Sequence, residues 1–389
     1  MKRIKLYKYR DYLCCIVVGM FVISTFSDYF FTKRVGFCAI ELILIPLLFV
    51  YNRYLQQIKC ADIIYSFFIM FILWALSYSF LTSLQFNTIL STVRSYFLFF
   101  LAFFLFYRNE LKEKDFNTIY TILFISKCGD LLGAVLGLQE KVFTDADSVI
   151  TNLNILTTPF IISYAYRQKN SIHFLIVCTL CLVASFFSAT RGIILYTIIN
   201  IIMCVLFNKQ SISSIIKSVV GIAVLAFAII SIYLASENIV HDYSSNLHYR
   251  LYSKVLERND VVTGDKDREE HFYYLLEHID EAIIPHGMAT RNSDTVRMQS
   301  NRMLWAVRDS SLVEIVYTFG FFSVFIIVYI LRMAFYYFKR RSENVVYYVM
   351  AMLLANLLIC LPMGYGLLIT PPLVFVLGAE VGAAVRLKK

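Results

Sequence analysis

The sequence predicts an all-α polytopic membrane protein with about 12 transmembrane helices and one large outer loop. Three observations predict this fold class: 59% of the residues are hydrophobic, only 16% are charged, and the apolar residues form long runs separated by polar segments. Soluble domains are about 45–50% apolar and about 25% charged. Because lipid offers no water to satisfy backbone polar groups, each run that crosses a membrane has to be a helix.

Twelve apolar segments approach or reach the length of about 20 residues that a helix needs to cross a bilayer. No small-residue cleavage site follows the first segment, so we expect a retained span and not a removed signal peptide. Nine spans in residues 1–235 precede a soluble segment, residues 236–311, and three spans follow in residues 312–389. The predicted spans are 11–31, 35–51, 62–83, 89–107, 117–137, 151–166, 173–188, 192–207, 218–235, 312–334, 345–361 and 367–385.

The distribution of Lys and Arg orients the predicted spans. With the amino terminus in the cytoplasm, the inner segments hold 21 of the 36 basic residues, and the short outer loops hold only Lys33, Arg34 and Lys141 besides Arg191. This positive-inside pattern predicts a multi-pass protein of the cytoplasmic (inner) membrane with both termini in the cytoplasm. The net charge of +9 follows from this pattern. The expected partner is therefore the lipid bilayer, and no nucleic acid is expected.

The segment 236–311 is the one large outer loop. It contains 9 Lys and Arg, 13 Asp and Glu, and five of the six histidines. A connection of this length is usually functional. Within it, residues 268–284 place Phe272, Leu275, Leu276 and Ile279 on one stripe, which predicts an amphipathic helix that lies on the membrane or on the spans.

The cysteines indicate neither a disulfide framework nor a metal site. All nine lie in or beside predicted spans, and none lies in the outer loop. Cys178 and Cys181 have a spacing found in redox and metal sites, but they fall within a span, where small buried apolar residues are the simpler interpretation. We therefore expect no metal and no cofactor.

Ionisable residues within the predicted spans cluster towards the outer face. Arg94 lies about 5 residues into its span, roughly 7 Å below the outer end; Arg191 lies in the tight turn between the spans 173–188 and 192–207. Lys127 and Asp130 lie three residues apart near mid-membrane. Because intramembrane charges usually face a bundle interior or a water-filled cavity, this pattern predicts a polar cavity open to the outside. Glu41 and Glu314 are the other charged residues of the outer half.

Two guanidinium groups facing such a cavity suit a phosphate or a diphosphate, and at this depth a lipid-linked one. Simpler alternatives stay open for each residue. Arg191 could extend to the lipid headgroups. Arg94 could pair with Asp130 or Glu41, and Lys127 could pair with Asp130 at i,i+3.

Several stretches resemble the group of O-antigen polymerases (Wzy-type) and O-antigen ligases. "SATRG", residues 188–192, resembles the Thr-x-Ser-Arg-Gly turn of the group, with Arg191 at its arginine. "IIPHGM", residues 283–288, resembles a glycine-containing stretch of the loop, although Pro285 and His286 precede Gly287. Residues 308–330 resemble the entry to the tenth span. The twelve spans with cytoplasmic ends and the large loop between spans nine and ten are also similar to this group.

One departure separates the two members of the group. The ligases resemble one another in a His-x-His-Asn-x-x-x-Glu pattern before the tenth span, where the histidine is taken as catalytic. This chain has Asp309-Ser310-Ser311 there, followed by Glu314. The missing histidine favours the polymerase.

The resemblance implies a membrane glycosyltransferase similar to the GT-C class. It would transfer a growing glycan from polyprenyl diphosphate to an incoming lipid-linked repeat unit on the outer face of the membrane. Chain-length regulator and flippase proteins are implied as further partners. In this scheme the residues that bind diphosphate or sugar are Arg191, Arg94, Arg268 and Lys127. The candidate catalytic residues, one of which takes the acceptor proton, are Asp309, His271, His286 and Glu314.

Two alternatives to the polymerase stay open at this point. One is the ligase, which moves a finished glycan to a lipid core. The other is a flippase or exporter of lipid-linked oligosaccharide. Transporters often have repeated halves and helices broken by Gly or Pro. This chain has 14 Gly and 6 Pro residues and no visible similarity between its halves, which disfavours the transporter.

Overall fold

The computed structural model describes residues 18, 98–107, 109, 111–135, 157–168, 170–187, 191–207, 273, 276–277, 279–285, 311–362 and 371–388. Across these residues the regular structure is entirely α-helical, without strands, and this confirms the predicted all-α class. The predicted spans 35–51, 62–83 and 218–235, and all of 11–31 except Val18, lie outside the described residues. The number of spans and the loop topology therefore stay predictions.

Within the described residues, five helices follow predicted spans closely. These helices begin and end within four residues of the predicted spans 117–137, 173–188, 192–207, 345–361 and 367–385. In chain order the helices are α1 (Leu98–Tyr107), α2 (Glu113–Val135), α3 (157–167), α4 (Ser171–Phe187), α5 (Arg191–Leu206), α6 (Ile279–Ile283), α7 (Ser311–Phe319), α8 (Phe322–Lys339), α9 (Val345–Cys360) and α10 (Pro371–Lys388).

Helix α8 has the length and composition to cross a membrane, with 18 residues and a mean hydropathy of 1.5. Among the described residues it is alone in meeting both requirements. Four shorter apolar helices of 10–17 residues accompany it: Leu98–Tyr107, Ser171–Ser185, Ile193–Leu206 and Val345–Cys360.

Asn and Asp side chains cap the starts of several helices. The Oδ1 atom of Asn170 accepts hydrogen bonds from the backbone N–H groups of Ile172 and His173, at 3.2 and 3.1 Å, where α4 begins. Asn344 Oδ1 accepts in the same way from the Tyr347 N–H at 2.7 Å before α9. These side chains satisfy N–H groups that have no partner within the first turn, which stabilises the helix by about 1 kcal/mol each.

The predicted tenth span, 312–334, is divided into two helices. Helix α7 ends at Phe319, and α8 begins at Phe322 and continues to Lys339. Gly320 between them has a φ of 58°, a left-handed conformation that is costly for residues with a Cβ. Its N–H donates to the Val316 carbonyl at 2.7 Å, which closes the end of α7. The prediction of one continuous helix was wrong here because an uninterrupted apolar run does not reveal a single left-handed residue.

The chain forms two compact units. The first contains α2 to α5, the end of α8 from Ala334 and α9 up to Asn356. The second contains α1, α6, α7, the part of α8 up to Met333, and α10. The predicted division of one integral-membrane domain at residues 236–311 stays a prediction, because most of that segment lies outside the described residues.

Aromatic and small residues fill the first unit. Helix α4 packs against both α2 and α5, and Val177, Cys178 and Cys181 of α4 are fully buried. The ring of Tyr120 lies 5.0 Å from that of Tyr164, and its hydroxyl is 2.6 Å from Nε2 of His173. Tyr120 of α2 therefore joins three helices, because its ring packs on α3 and its hydroxyl contacts α4.

The second unit contains a close approach between α1 and α10. Phe103 stacks on Tyr107 with ring centroids 5.7 Å apart, and this pair forms a buried cluster. Gly378 and Gly382 of α10 lie against the carbonyl groups of Phe99 and Phe103, so closely that a Cβ at either glycine would collide with them. Small residues four apart let two helix backbones approach in this way.

Candidate functional site

The break at Gly320 lies against the segment 279–285, which ends in Pro285. The backbone N–H of Phe321 donates to the carbonyl of Ile283 at 3.0 Å. A Cβ on Gly320 would collide with that carbonyl and would lie 2.6 Å from the backbone nitrogen of Pro285. Only glycine satisfies both the positive φ and this contact, so the sequence places a glycine there for two independent reasons.

This junction joins two stretches that are 35 positions apart in the chain, at residues 285 and 320. Residues 283–288 lie in the predicted loop, and residues 308–330 form the predicted entry to the tenth span. Helix α6 packs on α7, and Pro285 packs on the glycine that ends α7. Sequence reasoning missed this contact, because residues far apart in the chain leave no periodic signal when they pack together.

Most of the candidate catalytic residues lie beside the described segments. Glu314 lies in α7, six residues before Gly320, or about 9 Å along the helix axis. His286 follows Pro285 in the chain, and Asp309 precedes the first residue of α7 by two positions. Asp309, His286 and His271 are themselves outside the described residues, as are Arg268 and Arg94, so their predicted roles stay predictions.

Two helix ends flank the predicted turn near Arg191. Helix α4 ends at Phe187, α5 begins at Arg191, and the two helices pack against each other as a hairpin. This confirms the predicted helix boundaries to within one residue. Arg191 is therefore the first residue of α5, whereas the sequence placed it in the turn that precedes the helix.

Lys127 is the best-described of the predicted anion-binding residues. It lies in the middle of α2 and its side chain is only 2% exposed. Its Nζ donates to Oγ1 of Thr158 at 3.3 Å, and Thr158 is also buried, near the start of α3. Burying an ammonium group is expensive unless polar groups surround it. The alternative pair with Asp130 stays untested, because the Asp130 side chain is outside the described part.

Two side-chain hydrogen bonds join helices in the first unit, one between two hydroxyl groups and one between two amide groups. The Ser185 Oγ atom of α4 lies 2.7 Å from Thr197 Oγ1 of α5. One turn further along α5, Asn200 Nδ2 donates to Asn356 Oδ1 of α9 at 2.8 Å. All four side chains are buried. Sequence reasoning missed them because a neutral polar residue hardly interrupts an apolar run.

Glu380 is a buried carboxyl group in α10. Its exposed fraction is 8%, and within the described residues its Oε2 has no hydrogen-bond partner. Glu380 lies two residues from both Gly378 and Gly382, and therefore on the side of α10 that faces away from α1.

The described cysteines are free thiols. Cys178, Cys181, Cys204 and Cys360 are buried, and Cys128 is half-buried. Cys178 and Cys181 are therefore small buried side chains of α4, in agreement with the simpler interpretation of their spacing. In the described ranges no group of three or more His, Cys, Asp or Glu side chains is placed to hold a metal ion.

Searches for related proteins found no family model, no curated protein and no solved structure that matches this chain.

Proposed function

We propose that the chain is a membrane glycosyltransferase of the O-antigen polymerase type. It transfers a growing glycan from polyprenyl diphosphate to the terminal sugar of an incoming lipid-linked repeat unit, outside the cytoplasm. A lipid diphosphate is the natural donor there, because no nucleotide sugar or ATP is at hand. The bond between the sugar and the diphosphate breaks, and a bond from the sugar to an acceptor oxygen forms. The acceptor proton passes to a protein base, and polyprenyl diphosphate leaves.

The observation that carries this proposal is the contact of Ile283 and Pro285 with Gly320 and Phe321. The loop stretch 283–288 and the span-entry stretch 308–330, both of which resemble the polymerase and ligase group in sequence, meet there. The chain neighbours of this contact include His286, which follows Pro285, and Glu314, which lies about 9 Å along α7. An acceptor hydroxyl needs such a group within hydrogen-bond reach. We assign the proton-accepting role to Asp309, His271, His286 or Glu314.

The cationic groups support a diphosphate substrate. Lys127 is a buried ammonium group that already has one hydroxyl partner, Thr158. Arg191 begins α5 at a helix amino terminus, where the backbone N–H groups also favour an anion. Positioned cations that neutralise a leaving diphosphate lower the barrier, since charge develops on it in the transition state. Arg94 and Arg268 are proposed to act with them.

The test is a deletion of the gene, with the surface glycans separated on a gel beside the lipid-linked glycans of the same cells. We expect both the lipid carrier and the surface to carry single repeat units, without any glycan longer than one unit. Complementation with the unchanged gene restores the ladder, whereas Arg191→Ala and Asp309→Asn do not.

Two other patterns would contradict the polymerase. Long polymer accumulating on the carrier with a bare surface indicates a ligase. Single units confined to the cytoplasmic side indicate a flippase, in which the cations guide passage. A full-length ladder from Arg191→Ala would remove that residue from the leaving-group role.

A further inference from the structure

The segment that ends at Pro285 carries an apolar surface that is exposed in the described part of the chain. Leu276, Ile279 and Ile283 are spaced at i, i+3 and i+7, so they share one face of a helix. All three are more than half exposed, at 66%, 58% and 53%, and Ile284 beside them is exposed as well. We call these four residues the loop apolar surface. The sequence left open whether this face lies on the spans or on the membrane, and in the described part of the chain these four side chains are exposed.

The loop apolar surface continues into the exposed side of α8. The backbone of Ile283 is hydrogen-bonded to Phe321, the residue that directly precedes α8. Phe321, Phe322 and Phe325 are all exposed at this end of α8. Helix α8 is the described helix with the length and composition to cross a membrane. One exposed apolar surface therefore runs from a candidate span onto the loop, and lipid that covers the first part also reaches the second.

We infer that the loop apolar surface lies in the interface on the outer side of the cytoplasmic membrane. There Leu276, Ile279, Ile283 and Ile284 insert among the lipid headgroups and the upper acyl chains. An amphipathic helix in this position buries its apolar side chains about 5–10 Å below the headgroup surface. The junction of Pro285 with Gly320 is then held at the level of the membrane surface. A diphosphate attached to a polyprenyl chain lies at that same level.

The charges of this segment indicate which lipid headgroups it binds. Glu277 and Asp280 are exposed and acidic, and no basic residue lies among the described residues of this segment. Interfacial helices that depend on anionic lipid carry Lys and Arg on the polar face. This segment therefore binds through apolar burial, and a zwitterionic bilayer is sufficient.

The experiment measures the depth of single positions in the full chain. A fluorescent amino acid replaces Ile279 or Ile283, and the protein is placed in nanodiscs of phosphatidylcholine. Some discs contain lipids with a quencher at the top of the acyl chain. The matched control is the same amino acid at Glu277, on the polar face of the same segment. A second control replaces Phe325, on the exposed side of α8.

We expect strong loss of emission at 279 and 283 with the lipid quencher, and weak loss with aqueous iodide. Position 277 gives the reverse pattern. Adding phosphatidylserine to the discs leaves the emission loss at 279 and 283 unchanged. If 279 and 283 respond like 277, or if they escape both quenchers because protein covers them, the inference is overturned.

This inference rests on the proposed membrane location of the chain and not on the proposed chemistry. Quenching by lipid at 325 without quenching at 279 and 283 rejects the interfacial surface alone. Absence of lipid quenching at 325 as well rejects the membrane span, and the polymerase proposal with it.

Discussion

At the scale of one residue, Lys127 is a charged side chain that is buried and has a hydrogen-bond partner. The sequence predicts an ionisable group at membrane depth, and the Lys127 side chain is buried. Its partner Thr158 was not predicted, because a threonine inside an apolar run carries no distinguishing signal. The roles of Arg94, Arg268, His271, His286 and Asp309 stay predictions, since these residues lie outside the described part of the chain.

Replacing Lys127 tests whether its charge serves the substrate. Lys127→Met keeps the apolar stem and removes the ammonium group. A charged hydrogen bond contributes about 1.5–3 kcal/mol, which corresponds to roughly 10- to 150-fold in rate if it acts in the transition state. We expect a loss of polymer in that range in cells that lack the chromosomal gene. Lys114→Met, at an exposed lysine of the same helix, is the matched control.

A structural role for Lys127 would give a different result. In that case the amount of protein in the membrane falls while each remaining molecule keeps its activity. An unchanged polymer ladder at normal protein levels would contradict both roles.

Gly320 is the residue at which backbone conformation and contact coincide. Gly320→Ala combines the cost of a left-handed residue with a Cβ, about 1–2 kcal/mol, with a collision against Ile283 and Pro285. Gly320→Asn reduces the first cost, because asparagine tolerates this conformation, but it keeps the collision. We therefore expect both variants to lower the midpoint of thermal unfolding. A normal midpoint for the asparagine variant alone would show that φ, and not the contact, requires glycine.

At the scale of the elements, the sequence predicted helices best where polar residues interrupt apolar runs. The turn before Arg191 was predicted to within one residue because Ser, Thr and Arg interrupt the apolar run there. The break at Gly320 was missed because aromatic and aliphatic residues flank it on both sides. What divides that helix is a contact with a distant loop, and tertiary contacts are not visible in a local window.

The amide pair between α5 and α9 offers an energetic test of helix packing. Asn200→Leu and Asn356→Leu each remove one partner of the 2.8 Å hydrogen bond, and the double variant removes both. Hydrogen bonds between helices in membranes contribute about 0.6 kcal/mol on average, and at most about 1.7 kcal/mol. We expect a coupling free energy in this range from a double-mutant cycle on unfolding in mixed micelles. Strictly additive effects would show that the amides are not coupled.

At the scale of the whole molecule, charge distribution carries the proposed topology. Twelve spans with both termini in the cytoplasm account for the inner location of 21 of the 36 basic residues. Reporter fusions test this arrangement. A fluorescent protein at residue 389 should emit, and alkaline phosphatase inserted after residue 260 should be active. Phosphatase activity at residue 389 would place the carboxyl terminus outside the cytoplasm and contradict the proposed twelve-span arrangement.

The central claim, that this chain itself polymerises lipid-linked repeat units, is tested most directly by reconstitution. Lipid-linked single units are extracted from the deletion strain and added to liposomes that contain only the purified protein. We predict a ladder of lipid-linked glycans, with one polyprenyl diphosphate released for each new bond, and no ladder from the Arg191→Ala protein. Single units that persist unchanged, with no diphosphate lipid released by a correctly folded preparation, would contradict the claim.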